Sequence, residues 1–139
     1  MYELLLHPYH CQHIWAVHDY ERRKAEILHK KPANEHQERL KWMQRVSDDI
    51  VAQMPDEFVR ASETFAAACE KFDEAWEKFH KADETLKKDY EAWKKAGEAW
   101  DKSYVDWKQT YAKHEPALEA LHKQVFPDCP WNGRRLIFQ

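Results

Sequence analysis

Histidine and cysteine are the residues of this chain best suited to chemistry, and they gather toward its two ends. Of nine histidines, His7, His10 and His13 stand with Cys11 near the start, and His122 stands with Cys129 near the end. Imidazole nitrogen and thiolate sulfur are the ligands that zinc(II) favours, usually four of them in a closed site. His10, Cys11 and His13 fall within about one helical turn, and His7 lies just ahead of Pro8. No single segment carries the paired Cys-x2-Cys spacing of a zinc finger. A site therefore requires the ends to meet, for example His7 and His10 with His122 and Cys129, and zinc is the cofactor such a set would take. The plainer reading makes them surface or core-edge histidines and a buried thiol.

Other chemistry is thinly represented. There is no phosphate-binding glycine loop, no nucleophile elbow and no zinc-protease signature. Acidic pairs such as Glu70 and Glu77 lie on charged helical faces and read as solvated surface. The chain is therefore expected not to be an enzyme. Its seven tryptophans and six tyrosines could line an aromatic pocket that captures a small ligand or a protein. Core packing is the more ordinary use of such rings.

The elements that must position these residues are helices. Only Gly97 and Gly133 are glycine, while 34% of residues are charged and 14% aromatic. Few turn formers among many helix formers predict a mainly α chain of one domain, 1–139. Residues 1–8 contain a possible strand. A helix is expected over 9–31, closed by Lys31-Pro32 because a residue before proline avoids the helical region. A second is expected over 35–54 behind Asn34, burying Leu40, Met43, Ile50 and Met54. Pro55 ends it and can open the next.

From 56 to 114 the sequence repeats every seven residues. One column reads Phe58, Phe65, Phe72, Phe79, Leu86, Trp93, Trp100 and Trp107. Three residues on, a small-residue column runs Ala61, Ala68, Ala75, Ala82, Asp89, Ala96, Ser103 and Thr110. Four residues on, a mixed column runs Ser62, Cys69, Trp76, Asp83, Tyr90, Gly97, Tyr104 and Tyr111. Such a heptad keeps one seam facing a partner helix, as in a coiled coil. With no proline between 56 and 114, the expectation is one continuous helix of roughly 90 Å at about 1.5 Å per residue. The alternative is a fold-back near 83–97, where Asp83, Asp89 and Gly97 interrupt the columns.

The two architectures differ in assembly. Two N-terminal helices of about 20 residues cannot cover a rod that long. Tyr90, Trp93, Trp100, Tyr104, Trp107 and Tyr111 would then form an exposed aromatic seam, and a homo-oligomer, most simply a dimer, would bury it. In the folded-back form the same rings become internal. After a helix over 115–125, the segment 129–138 reads as a turn at Asn132-Gly133 followed by a strand. Its expected partner is Tyr2–Leu6, giving a small sheet built from both termini.

The start (Leu5-Leu6-His7-Pro8-Tyr9-His10-Cys11-Gln12-His13), the aromatic-charged repeats and the end (Cys129-Pro130-Trp131-Asn132-Gly133-Arg134-Arg135-Leu136-Ile137-Phe138) resemble uncharacterised helical repeat proteins of bacterial and phage genomes. Those share a His-Pro-x-His start and a Cys-Pro-Trp-Asn/Asp-Gly tail. The resemblance covers both termini closely and the middle in style. It implies no activity and singles out His7, His10 and Cys129.

The formal net charge of −3 with interleaved signs argues against nucleic-acid binding, since Arg22-Arg23-Lys24 and Arg134-Arg135 are short. No stretch approaches the roughly 18 apolar residues of a membrane span, and none resembles a signal peptide. Three widely spaced cysteines fit a reducing, cytoplasmic setting. The expected function is that of a non-enzymatic helical oligomer serving as an interaction, scaffold or adaptor protein. The alternative is a binding protein or inhibitor with an aromatic pocket and a structural zinc.

Overall fold

The apolar run at the N-terminus forms a strand whose neighbours are not the tail. The computed structural model describes residues 2–9, 14–81 and 87–137. In it β1 (Glu3–Leu6) is the middle of a three-stranded antiparallel sheet, between β2 (Trp15–His18) and β3 (Gln44–Arg45). Leu6 pairs with Trp15 and Leu4 with Val17 on one side, and Leu5 pairs with Arg45 on the other. Both ladder edges of β1 are thus occupied. The sheet expected between the two termini does not form among the described residues, and the tail instead closes on itself through a Trp131–Leu136 bridge.

The helix expected over 9–31 is corrected to strand followed by helix. Trp15, Ala16 and Val17 are suited to a pleated surface. The Asp19 side chain then accepts a hydrogen bond from Arg22 N at 3.1 Å and caps α1 (Tyr20–Lys30). The helix expected over 35–54 is likewise divided. α2 (Ala33–Trp42) is followed by β3, and a single turn, α3 (Asp48–Val51), comes after. Docking on β1 interrupts the helix here, for Val46 N donates to Leu4 O at 3.1 Å and Met43 is buried beneath.

The continuous rod over 56–114 is corrected too. α4 (Asp56–Lys81) and α5 (Lys87–Val125) are separate helices that pack along each other as an antiparallel hairpin. The heptad explains how, because equal spacing on both arms keeps one register down the length of the hairpin. Phe58 sits against Trp107 and Tyr111, and Phe65 against Trp100 and Tyr104. Phe72 lies between Trp93 and Gly97, and Phe79 packs on Tyr90 and Trp93. Trp107 and Tyr111 are core residues, Trp93, Trp100 and Tyr104 are half-buried, and Tyr90 is 43% exposed at the far end. The seam is closed within the chain, which removes the argument that an uncovered seam requires a dimer. Asp83 falls outside the described residues.

No separate helix starts at 115, since α5 runs through Pro116. Pro116 lies on the exposed side, where water can take the carbonyl that its missing N–H leaves unpaired. With 39 residues to the 26 of α4, α5 continues past the start of its partner. Leu118 and Leu121 on this overhang join Leu6, Ile14 and Trp15 in the main core. Trp15 Nε1 donates to Leu118 O at 3.2 Å. No described helix is long and apolar enough to cross a membrane.

Candidate metal centre

Three segments converge at the overhang. His7 follows β1 directly, His122 lies in the last turn of α5, and Cys129 lies in the tail just beyond. His7 N donates to Ile14 O at 2.9 Å, which pins the backbone where β1 ends. His7 has a φ of +48°, in the left-handed region, a conformation uncommon for a side-chain-bearing residue. The strain is held by this bond and by Trp131, whose ring centroid lies 5.3 Å from the imidazole. Outliers of this kind collect at functional sites.

His7 Nε2 lies 3.1 Å from His122 Nε2 and 3.0 Å from Cys129 Sγ. All three donor atoms fall within 4.8 Å of one another. Two ligands of a tetrahedral zinc stand about 3.4 Å (N to N) or 3.6 Å (N to S) apart, from bond lengths of about 2.05 and 2.3 Å. The two spacings to His7 are about 0.3 and about 0.6 Å shorter than these, so His122 and Cys129 would move outward from His7 to admit an ion. Both imidazoles are 2% exposed. Trp15 meets His122 edge-on at 6.0 Å, and Phe126 packs beside it.

Burial dominates the electrostatics. It lowers His7 to about 3, helped by the neighbouring His122, and lowers His122 to about 4. It pushes the Cys129 thiol up to about 11. At neutral pH the imidazoles are therefore uncharged with lone pairs ready, while the thiol holds its proton. Metal binding would displace that proton. His7 Nδ1 is buried with no hydrogen-bond partner among the described residues.

Of the residues singled out from the sequence, His7, His122 and Cys129 come together, whereas His10 lies outside the described residues, as do Cys11 and His13. The tail turn that presents Cys129 is built as its sequence suggests. Gly133 has a φ of +93°, and Asn132 Oδ1 accepts from Arg134 N and Arg135 N, each at 3.0 Å. Glu119, three residues before His122, was not distinguishable in the sequence. Its Oε1 accepts from Trp131 Nε1 at 3.4 Å.

The aromatic rings also wall a cleft of about 430 Å³ between α1, β2 and the hairpin, with Phe65, Trp100 and Tyr104 on one side. The polar groups at its rim are engaged with one another. Tyr9 Oη meets His18 Nε2 at 2.8 Å, Tyr2 donates to Asp73, and Arg22 pairs with Asp73 and Glu26. The cleft thus offers a ligand rings but few free polar groups to orient it. Comparison with protein-family models, curated proteins and solved structures finds no match to this chain.

Proposed function

We propose that this protein is a metal-clasped helical interaction module, non-enzymatic, in which His7, His122 and Cys129 bind zinc(II). The ion ties the N-terminal strand layer and the C-terminal tail to the overhang of α5, and the aromatic hairpin projects from this base as the arm offered to a partner. One observation carries the reading: two buried imidazoles and a half-buried thiol, the partners of His7 lying 115 and 122 residues from it in the chain, converge within 4.8 Å. Two neutral imidazoles and a thiolate suit a borderline-soft cation such as zinc and do not suit magnesium or calcium, which take oxygen. A reducing compartment such as the cytoplasm keeps Cys129 available for coordination.

The reading is tested on the purified full chain by native mass spectrometry and thermal melting, with and without a chelator. The expected result is one zinc per chain and a melting temperature that falls when the metal is removed, since an ion binding only the native state stabilises it. Cys129→Ser and His122→Ala should each abolish that difference. A chain that purifies metal-free and melts at the same temperature in excess zinc overturns it.

A further inference from the structure

The cleft of about 430 Å³ between α1, β2 and the hairpin has the size and character of a small-molecule site, mostly ring and aliphatic surface with a few polar atoms. On the hairpin side Trp100 and Tyr104 are half-buried, and their rings lie nearly parallel, at 3° with centroids 5.5 Å apart. They present a flat aromatic wall. On the other side β2 supplies Val17 and His18, and Tyr9 stands beside His18.

The hydrogen bonds of this second wall have a definite direction. His18 Nδ1 lies 3.3 Å from Asp19 O, a carbonyl that can only accept, so Nδ1 carries the ring proton. Burial lowers the pKa of His18, which keeps the ring neutral at neutral pH and leaves Nε2 as an acceptor. The Tyr9 hydroxyl, 2.8 Å away, therefore donates to Nε2. Its hydrogen is committed, while its oxygen retains two lone pairs. Tyr9 thus meets a ligand as an acceptor. The Cys69 thiol takes the Trp100 N–H at 3.2 Å and is kept protonated by burial, and the Tyr104 hydroxyl can turn to give or to accept. Among the described residues the charged groups lining the cleft are Arg22 and Glu26. Arg22 lies 4.0 Å from Glu26 and 3.8 Å from Asp73, and Glu26 pairs with Arg23 at 3.0 Å. Two guanidinium groups and two carboxylates offset one another, so this rim favours neither an anion nor a cation.

We propose that the cleft binds small, flat, uncharged aromatic molecules that carry a hydrogen-bond donor on the ring, packed against Trp100 and Tyr104 with that donor on Tyr9 Oη. Indole is the simplest of the class. Ring-on-ring contact supplies the affinity, and the phenol oxygen selects for the donor. None of the three candidate metal ligands lines the cleft, so neither reading needs the other.

The test is a titration of the isotope-labelled full chain, followed by NMR at the tryptophan indole N–H signals. The probes are indole and benzofuran, which has the same shape with an oxygen in place of the N–H. Indole should shift the Trp100 signal saturably, and benzofuran should bind roughly threefold to tenfold more weakly, the worth of one neutral hydrogen bond. Tyr9→Phe keeps the ring and should erase this preference. If that variant fails to fold, the comparison of the two probes on the wild type still decides. No saturable shift at Trp100 overturns the site. Equal binding of indole and benzofuran by the wild type overturns the acceptor role of Tyr9 and the donor class with it. Tetramethylammonium binding more tightly than indole would make the cleft a cation site and overturn the uncharged class. Tighter binding of a tryptophan-bearing peptide than of indole would make the occupant a partner's side chain and overturn the small-molecule reading.

Discussion

Truncating the four phenylalanines of α4 one at a time should reveal a gradient of stability that only the closed hairpin produces. Phe58 is fully buried between Trp107 and Tyr111, and Phe65 is 8% exposed among Trp100, Tyr104 and Trp107 at ring distances of 5.6 to 6.1 Å. Phe→Ala at either position removes roughly 100 Å² of apolar surface from the core, about 2.5 kcal/mol at about 25 cal/mol per Å². A partly relaxed cavity and two or three lost ring contacts raise the total to about 3–5 kcal/mol. Phe79 is only half-buried, stacked on Trp93 at 5.5 Å near the far end, and its truncation should cost about 1–2 kcal/mol. Phe72, facing Trp93 and Gly97, should fall between. Urea denaturation of the metal-free chain at two protein concentrations measures the series. Equal losses at all four positions, or midpoints that rise with concentration, would mean that the seam is filled by another chain and would refute the hairpin argument.

Two further outcomes follow from single sites. Gly97→Ala should stabilise the chain by about 1 kcal/mol, because a Cβ there would meet Phe72 at 3.5 Å, an ordinary contact; an unchanged or lower urea midpoint would show that the helices are closer there than this packing implies. The metal-free protein should also be acid-labile. His7 and His122 titrate in the folded state at about 3 and 4, below the ordinary 6.5, so between these values the unfolded chain takes up protons that the native chain refuses. Stability is then complete above about 6.5 and falls with pH toward 4, by at most about 2.7 kcal/mol per unit for two such groups. A wild-type and His122→Ala pair with identical acid midpoints would count against it.

Helical character and the spacing of the rings were legible because a seven-residue period in phenylalanine and tryptophan has little other use than to form a seam. The fold-back was not, because the period is the same whether the seam closes on another chain or on itself. The interruptions of the columns at Asp83, Asp89 and Gly97 left the fold-back open as the alternative without deciding for it. The cross-hairpin hydrogen bonds show the matching of the two arms. Trp107 Nε1 donates to Ser62 Oγ and Trp100 Nε1 to Cys69 Sγ, whereas the next indole, Trp93, comes opposite Trp76 and has a buried N–H with no partner among the described residues. The strand at Trp15–His18 was missed for a different reason. Three apolar residues beside a helix-like stripe satisfy both periods, and tertiary pairing with β1 decided between them.

The site was half legible, and the division has a physical basis. His7, His122 and Cys129 were recognisable as potential ligands because imidazole and thiol are uncommon side chains with a narrow chemical repertoire. Glu119 was hidden because α5 carries many exposed acidic residues, and nothing local sets this one apart. What singles it out is long-range: α5 outruns α4, the strands dock on the uncovered length, and the tail turns back so that Trp131 and Gly133 pass over the helix face shared by Glu119 and His122. The same overhang accounts for the separation of roles. Along the hairpin the inward positions hold rings and the small residues packed between them, such as Ser62, Ala68, Cys69 and Ser103. Past the start of α4 the partner helix ends, and the face of α5 is covered by strand and tail, with Trp15, Phe126 and Trp131 around the two imidazoles. There the chain places its buried imidazoles and a thiol, where an ion can join three segments that hydrophobic packing alone holds by few residues.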